Sequence, residues 1–399
     1  MRAVLENEFL RSRVCMVCME AQGLVKCVHC GMKILCTQCD DEEHKKNPLH
    51  DREIFHDGHP MFHWTAMGDM MQAIGQAQFP KYVFSQDLFF KWDLLQKRLP
   101  GSSESGFLRS LEDFSVIRGR VGVINDTAFS IAFKEWKFCR HELDVLQSKD
   151  FMECPTCAVF QHSAHVDGNA KLYRYKSAGR KKRESYYGEK FILDNVKVDK
   201  HLANLYENAN QPKLTSNSKC GESHWQAARN SLKKKKHIDE TGLSITGCRH
   251  AIAQRAVNMF YDEVYGYAHY IQITDMIPRK VSFFWEDVAC KYWPWLTKKV
   301  QKTASSMKPA LSVMHGKAQS WSCQEGAACS TGEEVEQINS YISCCGSTTK
   351  HMCPEGREEL LTEHAMAWNR RKILNLADSL AKRYLKVPVF PFVFQFLSY

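Results

Sequence analysis

The residues with the clearest potential to bind metal are cysteines and histidines near the start of the chain. Three C-x-x-C pairs fall within 25 residues and two histidines follow: Cys15, Cys18, Cys27, Cys30, Cys36, Cys39, His44 and His50. Each pair can place two thiolates on one tetrahedral zinc ion. Alternate pairing would put Cys15, Cys18, Cys36 and Cys39 on one Zn2+, and Cys27, Cys30, His44 and His50 on a second.

Eight ligands fill two tetrahedral sites, so the spacing predicts a structural module with no open catalytic position. The spacing resembles B-box and related cross-brace zinc domains. A segment this short has little core of its own, so its folding would depend on metal. The last two ligands stay open, with these alternatives: His29, His56, His59 and His63.

Two further Cys/His sets indicate structural zinc sites later in the chain. One combines Cys139-x-His141 with Cys154-x2-Cys157, and the other combines Cys220-x3-His224 with Cys248-x-His250. Each supplies four ligands of the kinds that zinc prefers. His162 and His165 are alternatives to Cys139 and His141, and buried reduced cysteines with surface histidines explain the same residues without metal.

Three acidic positions stand out in the second half. Asp167 lies in HVDGNAKLYRY, Asp287 ends the apolar run VSFFWED, and a group of glutamates lies in STGEEVEQINSYIS: Glu333, Glu334 and Glu336. Each has a structural interpretation. Asp167-Gly168 suits a turn between two strands, Asp287 a polar strand end, and Thr331-x-x-Glu334 a helix capping box.

The elements that must position these residues divide the chain into three regions. Residues 1–63 form the zinc module, 64–138 a mainly helical connection, and 139–399 an α/β domain. The segment QDLFFKWDLLQKRL has apolar residues at helical spacing, GSSESG at 101–106 indicates a linker, and RVGVINDTAFSIAF fits a strand or an apolar helix. At 399 residues and 44% apolar composition, the chain can bury a sizeable core.

Charge and composition limit the classes of binding partner and the cellular compartments that suit this protein. The net charge of +9, with the basic runs Arg180–Arg183 and Lys233–Lys236, favours a polyanionic partner, and either run fits a nuclear localisation signal or a solvated loop. No signal peptide or membrane span is evident. The 17 cysteines therefore indicate metal ligation in a reducing compartment, and either basic run, if it is a localisation signal, would direct the protein to the nucleus.

The motifs of the second half occur in a recognisable order: CPTC, DGN, DETGLSITGCRH, NMFYDEVYGYAHY, EDVACKY, HGKAQSWSCQ and TGEEVEQ. Over about residues 139–375, this order resembles the Kyakuja-Dileera-Zisupton transposases, eukaryotic cut-and-paste elements with an RNase H-like core. The resemblance implies a mixed sheet flanked by helices, with zinc-binding insertions. It also agrees with an N-terminal cysteine cluster.

The resemblance implies an acidic triad: Asp167 of DGN, Asp287 of the D-x-A-C motif, and Glu333 or Glu336 of G-E-x-x-E. These acids would hold two Mg2+ or Mn2+ ions for phosphodiester hydrolysis and strand transfer at transposon ends. The chain departs from the family at Ala170 and Glu286, where aromatic residues are usual. The segment around SWSCQEGAACS looks contracted, which predicts a poor catalyst.

The sequence thus supports a transposase, or a transposase-derived DNA-binding protein that has lost the chemical step. Homo-oligomers and protein partners of the zinc module are compatible with both. The alternative is a B-box-type interaction scaffold without catalysis. A ubiquitin ligase is disfavoured, because the chain shows no RING-type ligand set besides the N-terminal one.

Overall fold

The computed structural model describes these parts of the chain: residues 14–27, 30, 33–45, 52–56, 59–62, 71–74, 82–117, 122–157, 160–207, 234–311 and 333–385. Its contacts form two compact units. One comprises Met1–Arg98 with Ser102–Gln147, and the other comprises Leu99–Gly101 with Ser148–Tyr399.

The first unit begins with a small antiparallel sheet in the order β2-β1-β3-β4. Its strands are β1 (Val25–Cys27), β2 (Ile34–Leu35), β3 (Arg52–His56) and β4 (His59–Phe62), and helix α1 (Thr37–His44) follows β2. Among the described residues, the buried apolar side chains here are Val25, Ile34 and Leu35, together with cysteines that include the fully buried Cys15. A core of this size agrees with metal-dependent folding.

The remainder of the first unit is a hairpin followed by three helices. The elements are β5 (Met71–Ile74), β6 (Tyr82–Ser85), α2 (Gln86–Arg98), α3 (Glu104–Ile117) and α4 (Asp126–Leu146). Their core is rich in aromatic residues, with Phe89, Trp92 and Phe129 fully buried.

Three predictions made from the sequence concern the segments that form these helices. The helix predicted for QDLFFKWDLLQKRL is α2, and α3 begins inside the predicted linker. The ambiguous RVGVINDTAFSIAF contributes to a helix, α4. Asn125 caps α4, because its side-chain oxygen accepts a 2.8 Å hydrogen bond from the Ala128 N–H.

A five-stranded mixed sheet organises the second unit, in the order β11-β10-β7-β12-β13. The strands are β7 (Ser163–Asn169), β10 (Gly242–Cys248), β11 (Ala253–Met259), β12 (Phe283–Trp285) and β13 (Lys308–Ala310). Strands β7, β10 and β11 pair antiparallel, whereas β12 runs parallel to both β7 and β13. This confirms the expected mixed α/β architecture.

Helices and short elements surround this sheet. A two-stranded ladder joins β8 (Arg174–Tyr175) to β9 (Ile238–Glu240). The helices are α5 (Asn195–Glu207), α6 (Tyr265–Ile271), α7 (Ala289–Lys299), α8 (Gln301–Ala304), α9 (Glu334–Ser343), α10 (Gly346–Thr349), α11 (Pro354–Leu374) and α12 (Leu376–Leu385). A π-helical turn, Gln272–Met276, extends α6, and 3-10 turns flank β8 at Ala170–Leu172 and Lys176–Ala178.

Two apolar clusters hold helices to the sheet. One joins Phe284 of β12 to Ile271 of α6 and Tyr292 of α7. The other joins Ile245 of β10 to Ile338 of α9 and Leu361 of α11. Burying these side chains supplies the main driving force that fixes α9 against the sheet.

A buried ion-pair network ties α11 to the short ladder. Arg357 Nη1 lies 2.5 Å from Glu240 Oε2, and its Nη2 donates a 2.8 Å hydrogen bond to the Leu172 carbonyl. Arg174, also buried, donates from Nε to Glu240 Oε1 at 3.0 Å. Because each charge has a partner, this network can be buried without leaving an uncompensated ion. Within the described part of the chain, no helix has the length and apolar character required to cross a membrane.

Candidate metal centres

The first cysteine cluster is built by the turn before β1 and the start of α1. One sulfur from each of Cys15, Cys18, Cys36 and Cys39 lies within 4.8 Å of the others. Cys36 is the residue that caps α1, and its Sγ accepts a 3.5 Å hydrogen bond from the Cys39 N–H. Four converging sulfurs form a donor set that suits tetrahedral Zn2+.

The second cluster brings together Cys27, Cys30 and His44. His44 Nε2 lies 3.4 Å from Cys30 Sγ, while Nδ1 lies 2.9 Å from Asp40 Oδ1. Asp40 in turn accepts a 2.7 Å hydrogen bond from Arg52. The hydrogen-bond partner of Nδ1 is the Asp40 main-chain carbonyl at 2.9 Å, and this contact leaves Nε2 to face a metal, as in most histidine ligands of zinc. His50, the predicted fourth ligand, lies outside the described residues.

A third cluster joins Cys154, Cys157, Cys248 and His250. His250 Nδ1 lies 3.5 Å from the Sγ atoms of both Cys154 and Cys157, and 3.9 Å from Cys248 Sγ. Three cysteine sulfurs and one imidazole form another donor set that suits tetrahedral Zn2+.

This grouping corrects the predicted pairing of the two later Cys/His sets. Antiparallel pairing of β10 with β7 places Cys248 beside Ala164, at the start of β7. The turn that bears Cys154 and Cys157 comes just before this strand, so it meets the turn after β10. Cys139 and His141 lie on α4 of the other unit and are not among the grouped residues, and Cys220 and His224 lie outside the described residues.

The predicted acids Asp167 and Asp287 lie at one end of the sheet. Asp167 is in β7, opposite Ile245 of β10, so the turn interpretation of Asp167-Gly168 is wrong. Strand β12 pairs in parallel with β7, with Trp285 beside His165. Continuing this register by two residues brings Asp287 level with Asp167.

Electrostatic repulsion shows that three acids face one another. Burial and then repulsion from Asp287 and Glu336 raise the pKa of Asp167 to about 8. Burial and then repulsion from Glu336 and Glu263 raise the pKa of Asp287 to about 7. Such shifts arise where carboxyl groups share a site of low dielectric constant.

Helix α9 delivers Glu336 to this site and is held by amide hydrogen bonds. Asn339, one turn after Glu336 on the same helix face, donates a 2.5 Å hydrogen bond to Asp167 Oδ2. Asn169 of β7 donates to Ser343 Oγ at 2.9 Å and to Asn339 Oδ1 at 3.3 Å. These contacts fix the register between α9 and β7.

The neighbouring glutamates occupy different positions. Glu333 precedes α9 as its capping residue and makes no side-chain cap hydrogen bond. Glu334 is buried, and its carboxylate lies 3.5 Å from His165 Nε2. The capping-box interpretation, which places Glu334 three residues after the cap, is wrong, because Glu333 is the capping residue and Glu334 the first residue of α9. Thr331 lies outside the described residues.

Two further acids near the site were missed by sequence reasoning. Burial and then repulsion from Asp167 raise the pKa of Glu263 to about 7, and the Gly168 N–H donates a hydrogen bond to its carboxylate. Burial and then repulsion from Glu263, Asp287 and Asp167 raise the pKa of Glu286 well above its usual value. Sequence reasoning could have found Glu263 because it follows the end of strand β11, just as Asp287 follows the end of strand β12.

The second unit is thus an α/β domain with a sheet-edge carboxylate cluster and a Cys3His cluster. The family model described as Kyakuja-Dileera-Zisupton transposase matches residues 160–369, more than half of the chain and all five acids. The chain belongs to this transposase family. No curated protein matches it, and neither does any solved structure.

Proposed function

We propose that the protein is a DNA transposase, or a transposase-derived DNA-binding protein, whose carboxylate centre cleaves and joins phosphodiesters. The observation that carries this proposal is the convergence of Asp167 and Asp287 at one end of the sheet, where α9 adds Glu336 and its Asn339 hydrogen-bonds Asp167. Burial, and then repulsion from neighbouring acids, raises the pKa of both aspartates. The same acids are the triad that the family resemblance implies, with Glu336 favoured over Glu333.

The donor set fits divalent cations bound through oxygen. Mg2+ and Mn2+ prefer carboxylates, and two such ions would offset the burial and repulsion that raise the pKa of Asp167 and Asp287. Glu286 Oε2 is buried and has no hydrogen-bond partner among the described residues, so it also suits a site that gains a cation. Two ions, when bound, would stabilise the attacking and leaving oxygens of phosphoryl transfer.

The protein's own groups would orient this chemistry. Asp167, Asp287 and Glu336 would be the ion ligands, and Asn339 would hold the Asp167 carboxylate in one rotamer. Glu263 would add a fourth carboxylate next to Gly168. The strand order supports an RNase H-like core: numbered within the second unit's sheet it reads 3-2-1-4-5, with the first acid on the central strand.

The cysteine clusters would have structural roles, with Zn2+ in each. Zinc in the third cluster would cross-link the turn before β7 to the β10–β11 turn, and so would stabilise the position of the strand that carries Asp167. We expect the protein in the nucleus, bound to transposon ends as an oligomer. The N-terminal zinc module would be free to bind protein partners.

The decisive experiment is strand cleavage and transfer by the zinc-loaded full chain on duplexes carrying the element's own terminal repeats. We expect products that require Mg2+ or Mn2+ and disappear with Asp167→Asn. A chain that binds these duplexes but leaves them intact would be a transposase-derived binding protein. A chain that neither binds nor cuts DNA would support the interaction scaffold.

A further inference from the structure

An exposed cluster of lysines and aromatic rings lies where β8 pairs with β9. Lys176 Nζ donates hydrogen bonds to the main-chain carbonyls of Lys235 (3.3 Å) and Lys236 (3.1 Å), and its N–H donates to the His237 carbonyl at 3.2 Å. All three lysines are exposed. Two segments that are about 60 residues apart thus bring three exposed lysines together.

Aromatic rings border these lysines. The Tyr173 and Tyr175 hydroxyls lie 3.3 Å apart, and the Tyr175 ring lies 5.4 Å from the exposed His351 ring. A 3.1 Å hydrogen bond from the Tyr175 N–H to the Lys350 carbonyl fixes this arrangement. We call the set the β8–β9 surface: Tyr173, Tyr175, Lys176, Lys235, Lys236 and His351.

The acids closest in sequence do not neutralise this surface, because they are used elsewhere. Asp239 pairs with Arg174, and Glu240 pairs with both Arg174 and Arg357. Only Lys235, among the three lysines, forms an ion pair with a described residue, at 3.2 Å from Asp262. A pair this exposed is weak and readily exchanged for a phosphate.

Two residues of the other basic run, Lys181 and Arg183, are held in ion pairs. Arg183 donates two hydrogen bonds to Glu359 of α11, at 2.5 and 2.9 Å, and Lys181 pairs with Glu184 at 2.6 Å. Arg183 therefore anchors a loop through a carboxylate, whereas Lys176 and Lys236 are exposed and form no ion pair with a described residue.

The topology places the β8–β9 surface at the same end of the sheet as the carboxylate centre. Strand β7 carries Asp167 and continues through one short turn into β8. Strand β9 leads directly into β10, whose Leu243 pairs with Asn169, two residues after Asp167. A strand of DNA that reaches the acids would therefore pass close to these lysines.

We propose that the β8–β9 surface binds the phosphate backbone of DNA next to the bond that is cut. The proposal rests on the proposed function, which supplies the DNA substrate. The ammonium groups would neutralise phosphates, and the rings would stack on any base that is unpaired there.

The test measures binding of the zinc-loaded full chain, without Mg2+ or Mn2+, to a fluorescent 30-base-pair duplex and a 30-nucleotide single strand at several salt concentrations. The test variant is K176S/K235S/K236S. We expect its dissociation constant to rise by at least about tenfold at ~0.1 M salt, and its salt slope to fall by about one unit per lysine. The matched control, K298S/K299S/K302S, removes the same charge from exposed lysines of α7 and α8 and should bind almost as tightly as the native chain.

A third variant, K176R/K235R/K236R, changes the same three residues but keeps their positive charge. It therefore separates loss of charge from structural damage caused by substitution at these positions. It should retain the salt slope of the native chain. Equal weakening by the test and control variants would overturn the proposal, since only overall charge would then matter. Unchanged DNA binding with lost nuclear import of the test variant would also overturn it, and would assign the lysines to localisation. If the native chain failed to bind either DNA at low salt, the proposed function itself would fail.

Discussion

Gly168 lies directly against Glu263: a β-carbon at residue 168 would come within 2.3 Å of Glu263 Oε1. The Gly168 N–H also donates a hydrogen bond to the Glu263 carboxylate. The glycine next to Asp167 thus leaves room for a second carboxylate, which explains a small residue at this position without any turn. It also makes Glu263 part of the same site as Asp167.

Gly168→Ala should therefore displace the Glu263 carboxylate and weaken Mn2+ binding. We expect at least about a tenfold rise in the Mn2+ dissociation constant, in the range found when groups around a metal ligand are altered, measured by titration calorimetry. The double variant G168A/E263D, whose shorter acid relieves the contact, should recover part of this loss. Native affinity in Gly168→Ala would show that Glu263 lies too far from the ions to matter.

Metal binding should be strongly pH dependent and should strengthen as pH rises. The pKa values of Asp167, Asp287 and Glu263, about 8, 7 and 7, keep these carboxyls largely protonated at pH 6 in the absence of cations. Because an ion binds only the deprotonated form, protons compete with it below these values. Calorimetry in buffers of different ionisation enthalpy should detect proton release at pH 6.5 that disappears above about pH 9. A constant affinity from pH 6 to 9 would contradict the clustering of the acids.

Asp167→Asn should stabilise the zinc-loaded protein at pH 8 when Mg2+ and Mn2+ are absent. The pKa of Asp167 is higher in the folded chain (about 8) than in an unfolded chain (~3.9), so the folded state binds more protons between these values. The free energy of unfolding therefore falls as pH rises through this window. We expect the substitution to raise the midpoint of thermal unfolding by at least about 2 °C at pH 8 and to have little effect near pH 4.

Mg2+ provides the complementary measurement for this variant. It should raise the unfolding midpoint of the native chain at pH 8 by offsetting the repulsion, and it should have much less effect on Asp167→Asn. A variant that is less stable than the native chain at pH 8 would mean that Asp167 stabilises the fold as an anion.

Substitutions at the two candidate glutamates, Glu333 and Glu336, should have clearly different effects on strand cleavage. Glu336→Gln should lower metal-dependent strand cleavage by at least about 100-fold, because Glu336 repels both aspartates and so faces the ions. Glu333→Gln, a matched change three residues away, should keep most of the activity. If the native chain itself proves a poor catalyst, the same comparison can be made on Mn2+ affinity. The reverse pattern would assign the third acid to Glu333.

Zinc analysis should distinguish the observed Cys3His cluster from the predicted pairing. Cys248→Ser should remove one zinc ion per chain and lower the unfolding midpoint, because Cys248 lies with Cys154, Cys157 and His250. Cys139→Ser should leave the zinc content unchanged, since Cys139 is exposed on α4. Loss of a zinc ion in the Cys139 variant would restore the pairing predicted from sequence.

The sequence by itself determined the kinds of chemistry and the family. The C-x-x-C spacing predicted cysteine clusters, because ligands that share a tight turn must lie close together in any fold. The ordered motifs, from CPTC to TGEEVEQ, predicted the transposase family before any contact was known. Local pattern also predicted helix α2, whose apolar spacing suffices to define an amphipathic face.

Only the tertiary structure decided which distant residues meet. Cys157 and His250 are 93 positions apart and share a cluster because β7 and β10 pair antiparallel. Glu263 reaches Gly168 only because β11 ends beside the acids, and Asn339 selects Glu336 by anchoring that face of α9 to Asp167. Strand register and helix packing depend on side chains from the whole domain, so a single motif cannot specify them.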